Sequence, residues 1–429
     1  MNTKSPNRIA AIYGIGKSTA LKVALAALLA LSRTAQAQPV ILPAPSYPVT
    51  PPAVQEAQAN NEMTVFSPAG GGPGGAQETQ PFQYGIFTLR PHPFYRFLYG
   101  NGILASTNQA ANTVINQISP GFLVDIGRHW TLDYTPTWTF YSNSRFHDTL
   151  DHVINLTGGT SYEDWTLGLS QVVALTSDPL VQTATQTSQE TYTTAFNASY
   201  QINSKMFTDL GLSQNIISAD QFNSSREWAM LDWLNYQFWP RLDAGIGAGF
   251  GYVNVQTGPD MTYEQLQSRV DWRATDKISF QVHAGGEDRQ FLGSGGTGDL
   301  LNFVFGAAVQ YQPFEVTKIT INAGRGVSPS YFVGATENTD FTGELNQRLL
   351  GKLYLDLQGG YHIMKYVASA STPPVNREDD LYSVSVQLSY PFARRGSVAA
   401  FYQASSNSST QPGFGYSSSQ VGFQISYTY

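Results

Sequence analysis

In Tyr382-Ser383-Val384-Ser385-Val386-Gln387-Leu388-Ser389-Tyr390 every even-numbered side chain is apolar or aromatic and every odd-numbered one is polar. A period of two places those sets on opposite faces of one extended strand. The chain ends on the same alternation, with Val421, Phe423, Ile425, Tyr427 and Tyr429 separated by Gly422, Gln424, Ser426 and Thr428. It recurs where Leu353, Leu355, Leu357, Tyr361 and Ile363 alternate with Tyr354, Asp356, Gln358 and His362. It recurs again from Leu242 to Tyr252, where Asp243, Gly245, Gly247, Gly249 and Gly251 hold the second face. Each run is about 10 residues or longer, the length a tilted strand needs to cross a bilayer.

Alternation of this kind also fits a soluble sandwich, and the connections separate the two. Short links such as Leu350-Gly351, Ala274-Thr-Asp276 and Trp239-Pro-Arg241 take turns with long ones such as Val367–Glu378, Arg325–Thr339, Ser405–Tyr416 and Ser177–Gln189. Outer-membrane barrels sort their loops this way, with tight periplasmic turns and longer external loops. Counting segments from Thr113 onward, with one opening strand inside Phe82–Leu104 interrupted by Pro91 and Pro93, gives about 18 strands (roughly 16–18). The reading is all-β: a closed antiparallel transmembrane barrel over residues 82–429, with both termini on the periplasmic side of an outer membrane. Hydrocarbon offers no hydrogen bonds, so a sheet that meets lipid must pair every backbone group within itself and close. No apolar run reaches the roughly 20 residues of a spanning helix. Tyr134, Trp138, Phe140, Tyr252, Tyr311, Tyr390 and Tyr402 become candidates for the interfacial aromatic girdles.

The first 37 residues hold five cations and no acid, then an apolar run from Ala20 to Leu31 and the small-x-small sequence Ala35-Gln36-Ala37. That is the pattern of a secretory signal cut after residue 37. Gly14-Ile-Gly16-Lys17-Ser18 imitates a phosphate-binding loop, but no α/β sheet can form around a segment that runs into a cleavage site and then proline. Residues 38–81 contain nine prolines and the run Gly70-Gly-Gly-Pro-Gly-Gly75. This composition cannot bury a core and reads as a disordered periplasmic linker, with docking of a periplasmic or polysaccharide partner as the alternative.

Removing the cationic leader makes the remainder more acidic than the formal −7 of the whole chain. Nucleic acid, which needs a basic footprint, is excluded as a partner. With no cysteine, disulfide scaffolds and thiolate metal sites are excluded too. The expected partners are outer-membrane lipid and the barrel assembly machinery, for a monomer or a trimer. His147-Asp148 and Asp151-His152 sit beside an external loop, where the plain reading is solvated charge rather than a cation site. Nothing in the spacing singles out a nucleophile beside a positioned base, so no catalytic residue, metal or cofactor is expected. Phase assigns Arg269, Asp271, Arg273, His283, Lys318, Glu344, Arg348, Lys352 and Asp356 to the polar face as candidate pore-lining residues, whose charge would bias which solutes pass. Glycines 245, 247, 249 and 251 fall in that set, either leaving room for an inward loop or easing strand curvature.

Leu98-Tyr-Gly-Asn-Gly-Ile103, Ile118-Ser-Pro-Gly121, Leu132-Asp-Tyr134 and Phe140-Tyr-Ser-Asn143 resemble the opening of the putative β-barrel porin 2 family. Arg377-Glu-Asp-Asp-Leu-Tyr-Ser383 with Leu388-Ser-Tyr390 is similar to that family's penultimate hairpin. The ending Phe423-x-Ile425-x-Tyr427-x-Tyr429 is similar to the aromatic signal by which barrels are recognised for assembly. The resemblance implies a porin-like outer-membrane barrel with no known catalytic residues; some members resemble components of exopolysaccharide systems. Passive diffusion of small hydrophilic solutes is the expected function. A closed barrel tied to exopolysaccharide export or assembly is the alternative, and a barrel hydrolase a more distant one.

Overall fold

The computed structural model describes residues 82–106, 109–293, 299–332, 334–367 and 377–428. The signal and linker readings for 1–37 and 38–81, and Tyr429, lie outside the described residues. The chain enters through β1 (Phe82–Tyr84), β2 (Phe87–Pro91), β3 (Phe94–Ser106), β4 (Gln109–Ser119) and β5 (Phe122–Ile126). Long strands follow: β6 (Trp130–Tyr141), β7 (Thr149–Tyr162), β8 (Trp165–Leu180), β9 (Thr185–Gln201), β10 (Met206–Ala219), β11 (Ser225–Trp239), β12 (Leu242–Val255) and β13 (Asp260–Thr275). The rest are β14 (Ile278–Leu292), β15 (Leu300–Phe314), β16 (Thr317–Pro329), β17 (Ala335–Leu349), β18 (Leu353–Val367), β19 (Glu378–Pro391), β20 (Gly396–Ser409) and β21 (Tyr416–Tyr427).

Neighbours in sequence pair antiparallel around the ring, and β21 pairs with β3 from Ser419↔Asn101 to Ser426↔Phe94, which closes it. Two of the staves are broken. β2 continues β3 beyond His92-Pro93, and β5 continues β4 beyond Pro120-Gly121, because proline has no N–H to give the ladder. The breaks lie side by side, and the His92 N–H donates to the Gly121 carbonyl at 2.9 Å. β1 folds back on β2 as a short extra hairpin. The result is a closed antiparallel barrel of 18 strands.

The expected alternation becomes the two surfaces of this wall, and they are inverted relative to a soluble barrel. Ile246 is 63% exposed and Leu266 69% on the outside, while Arg96 is fully buried on the inside. Trp228 and Phe238 bracket the outward set of β11. Ten residues span about 34 Å of strand, or roughly 25 Å of height at a tilt of ~40°, the height of the apolar band of a membrane barrel. Girdle aromatics pack in pairs on this surface: Trp165 with Tyr200 at 4.7 Å between centroids, Trp272 with Phe280 at 5.4 Å, and Tyr361 with Tyr382 at 4.6 Å. The seven aromatics expected in girdles all take outward positions in the register.

Connections sort by end as expected: two to four residues at the end holding both described termini, four to ten at the other, the Ser106–Gln109 link apart. The long loops are shorter than read. Ser177–Gln189 is mostly ladder, paired out to Leu180↔Thr185, and Arg325–Thr339 is paired out to Pro329↔Ala335. The ends of both stretches turn in over the lumen, where neither face meets lipid, so the period of two vanishes while backbone pairing continues.

The closing seam gives a test. A Cβ on Gly422 would lie 2.1 Å from the Phe97 carbonyl oxygen, whereas one on Gly343 meets nothing within 4 Å. Overpacking of this kind costs about 1–3 kcal/mol or more. Gly422→Val is expected to lower the yield of the heat-modifiable folded band on unboiled gels, and Gly343→Ala to leave it unchanged.

Candidate functional site

The inner wall carries the polar chemistry, and its order follows from phase. In the half of the lumen near the short turns, Arg269 on β13 extends across the glycines of β12. Its guanidinium pairs with Asp209 of β10, donates from Nε to Asn235 Oδ1 at 2.8 Å, and lies over the Trp233 ring at 4.7 Å. Asn235 donates in turn to Asp209 at 3.1 Å, and Asp271 lies 4.0 Å from Arg269 Nε. A β12 strand with ordinary side chains would block this reach. Cβ atoms on Gly245 and Gly247 would fall 2.3 Å from Asn235 Oδ1 and 2.6 Å from the Trp233 ring. The glycines therefore seat neighbouring side chains flat against the wall, a use neither sequence alternative named. His283 lies the same way over Gly306, with Nδ1 2.9 Å from Gln267 Oε1.

Towards the long-loop end the lumen is crossed. The β15–β16 ladder stops at Phe305↔Arg325, while β16 stays paired with β17 out to Pro329↔Ala335. The tip of the β16–β17 hairpin thus leaves the wall and turns inward. Val327 and Ala335 pack on Val253, Met261 and Tyr263, and the Val327 carbonyl accepts from Arg289 at 3.3 Å. Tyr263 is the floor of this contact: its ring occupies the space over Gly251, its hydroxyl donates to Glu227 at 2.7 Å, and Arg289 stacks on it at 4.5 Å. Arg289 is itself held by Glu287 at 2.9 Å. Beyond, Tyr331 packs with Leu180, Ile217 and Ala219 and donates to Gln189 of β9 at 2.5 Å.

A second span comes from the opposite side. The β8–β9 turn carries Val181 to Met364, Tyr366 and Leu381. Arg377 fastens it, donating to the Gln182 and Val181 carbonyls at 2.8 and 3.3 Å, pairing with Asp379, and stacking on Phe414 at 3.7 Å and Tyr366 at 4.5 Å. Arg377 and Asp379 are both buried. A buried pair of this kind holds three hairpin ends at one point.

Of the nine sequence candidates, Arg269, Asp271, Arg273 and His283 share inward phase on β13 and β14, and the first two join directly. Lys318, Glu344, Arg348 and Asp356 share it on β16 to β18. Lys352 does not: it lies in the Leu350–Lys352 turn, where Leu350 and Gly351 take positive φ and reverse the chain, so strand phase has no meaning there. Asp151 and His152 also separate. Asp151 accepts from the Ser177 N–H at 3.0 Å on the inner side, while His152 stacks on Tyr134 on the outer side, so the two share no site. Asp148 accepts from the Tyr141 N–H at 2.8 Å. Phe423, Ile425 and Tyr427 face outward on β21, and Phe423 stacks on Phe97 across the seam at 5.5 Å. Glu227, Tyr263, Glu287, Arg289 and Asp379 were missed, although each occupies the odd-numbered inward phase of its strand.

Removing one partner of a fully buried pair costs about 3–5 kcal/mol, which is an upper bound for Arg269–Asp209, 13% and 17% exposed. Arg269→Leu is expected to destabilise the barrel by about 1–3 kcal/mol in urea unfolding from lipid, and the double change Arg269→Leu/Asp209→Leu by clearly less.

Residues 281–429 match the model of a family described as putative beta-barrel porin 2. No curated protein matches the chain. Among solved structures, the chain is similar to Pseudomonas aeruginosa OccK2 (OpdF), with 10% identity over 79% of this chain and 98% of that one and a TM-score of 0.44. Pseudomonas aeruginosa OpdK, solved with vanillate, has 10% identity over 80% of this chain and 99% of that one, at a TM-score of 0.42. Acinetobacter baumannii OccAB4 has 11% identity over 80% of this chain and 98% of that one, also at 0.42.

Proposed function

We propose that this chain is an outer-membrane diffusion barrel for small hydrophilic solutes, with its short turns towards the periplasm. The observation that carries the reading is the inverted wall: largely apolar outside, and inside a lining rich in polar and charged groups in a closed sheet. A polar interior that lipid does not reach can hold water and provide a path for dissolved solutes. Arg269, Asp271, Arg273, His283, Lys318, Glu344, Arg348 and Asp356 line that path in this reading. Lys318 and Arg348 are exposed in the short-turn half and supply mobile positive charge there. Transport is passive, and the flux is limited where the β16–β17 tip and the β8–β9 turn cross the lumen.

Those same crossings favour a second reading, a barrel whose lumen stays closed and whose task is tied to export or assembly of surface polysaccharide. The buried Tyr331 and Ala184 are the specific support. Purified protein in a planar bilayer separates the two. Diffusion predicts stable conductance steps, raised by roughly twofold or more when residues 330–334 are replaced by a short glycine link. Silence from the native chain, with steps only after that replacement, favours the closed barrel.

A further inference from the structure

The outer wall is not uniformly apolar. Midway along β8, β9, β10 and β11 the outward set is interrupted by Gln171, Thr194, Gln214 and Asp232. Each lies six residues from an outward position near the short-turn end of its strand, namely Trp165, Tyr200, Thr208 and Phe238. Six residues are about 20 Å of strand, or roughly 15 Å of height, well inside a band ~25 Å tall. Counted from the short turns, the four therefore lie at similar depths within the band. Register puts Gln171 opposite Thr194 and Thr194 opposite Gln214, while Asp232 lies opposite Leu210, four residues nearer the short turns than Trp228, the partner of Gln214.

Their hydrogen bonds within the barrel do not exhaust them. Thr194 donates to Gln171 Oε1 at 2.5 Å, Gln171 Nε2 donates to the Val172 carbonyl at 3.2 Å, and Asp232 Oδ1 accepts from the Gly211 N–H at 3.3 Å. A glutamine amide has two N–H groups and a carboxylate two oxygens with about four acceptor sites. Lipid tails can satisfy none of the remainder. The opposite wall carries Val384, Val386 and Leu388 on β19 and Val421, Phe423 and Ile425 on β21, apolar without interruption at this depth. Single outward polar groups occur elsewhere, Asn116 of β4 accepting from the Tyr95 hydroxyl at 2.8 Å and Ser268 of β13 donating to the Ala284 carbonyl at 3.3 Å, but the run across four adjacent strands is on β8–β11.

We propose that the outer wall of β8–β11 is where a second copy of this chain docks, about a two-fold axis along the membrane normal. Such an axis preserves depth and reverses order around the wall, so β8 of one copy faces β11 of the other. The Gln171 amide then donates to Asp232 of the partner subunit, and Gln214 faces Thr194 of the partner subunit near the axis. The patch is self-complementary because its acceptor-only group and its strongest donor lie at opposite edges, and the two carboxylates do not meet. Polar side chains pairing within a bilayer bind because the alternative is an unsatisfied group in hydrocarbon. The inference rests on the outer wall facing lipid.

The chain has no cysteine, so single substitutions report proximity without background. Wild-type protein extracted in mild detergent is expected to give a dimer mass by native mass spectrometry. Gln214→Cys should form a disulfide-linked dimer on mild oxidation, while Val386→Cys on the opposite wall should not. The double variant Gln171→Leu/Asp232→Leu, whose new side chains suit lipid, should reduce the dimer fraction by on the order of tenfold, about 1.4 kcal/mol, and still give the heat-modifiable folded band. A monomer mass for wild type, equal cross-linking at 214 and 386, or an undiminished dimer in the leucine variant overturns the proposal. Loss of heat-modifiability in the wild type would instead overturn the membrane reading on which it rests.

Discussion

Hydrocarbon cannot hydrogen-bond, and everything in this barrel answers to that fact. Each backbone N–H and C=O within the lipid band must find its partner on a neighbouring strand, and the last strand must find the first. The β21–β3 ladder supplies that final pairing, and Phe423 on Phe97 covers it on the lipid side. Even the proline breaks obey the constraint. They occur in adjacent staves at one level, so the bonds lost on one side are lost beside those lost on the other, and His92 bridges to Gly121.

Closure turns the usual economy of a folded protein inside out. The hydrophobic effect does not build one central apolar core; lipid takes most of that role, and inside the barrel small apolar clusters such as Val253, Met261, Val327 and Ala335 sit among polar groups fitted to one another. Arg96 over Phe401, Arg269 over Trp233, Arg289 over Tyr263 and Arg377 over Phe414 follow one plan: a guanidinium spread on an aromatic face and tied at its edge by carboxylates, amides or carbonyls. Arginine suits this because its planar fork stacks and donates at once. The glycines of β12 are the counterpart, leaving the wall thin where such groups lie across it.

Much of this was legible in the residues, and the parts that were not have a common cause. Phase alone identified the outward girdles, the strand number and the inward positions of Arg269, Asp271 and His283, because lipid enforces a period of two. Where lipid stops, so does the signal. The polar ladder of Ser177–Gln189 passed for a loop, Lys352 was carried past a turn, and the inward swing of the β16–β17 tip left no periodic trace. Tyr263 and Arg289 had the right phase, but their pairing depends on Gly251 and on a hairpin from the far side of the wall, contacts too distant in sequence for local pattern to register.

The account stands or falls on the two faces of one strand. Single cysteines placed in turn from 382 to 390 in lipid-reconstituted protein, labelled with a fluorophore, would report each position's surroundings. Even positions are expected to be quenched by quenchers attached to lipid tails, and odd positions by water-soluble quenchers alone. Equal response at odd and even positions, or quenching of the odd set by lipid, would contradict a sealed wall with lipid on one side and water on the other.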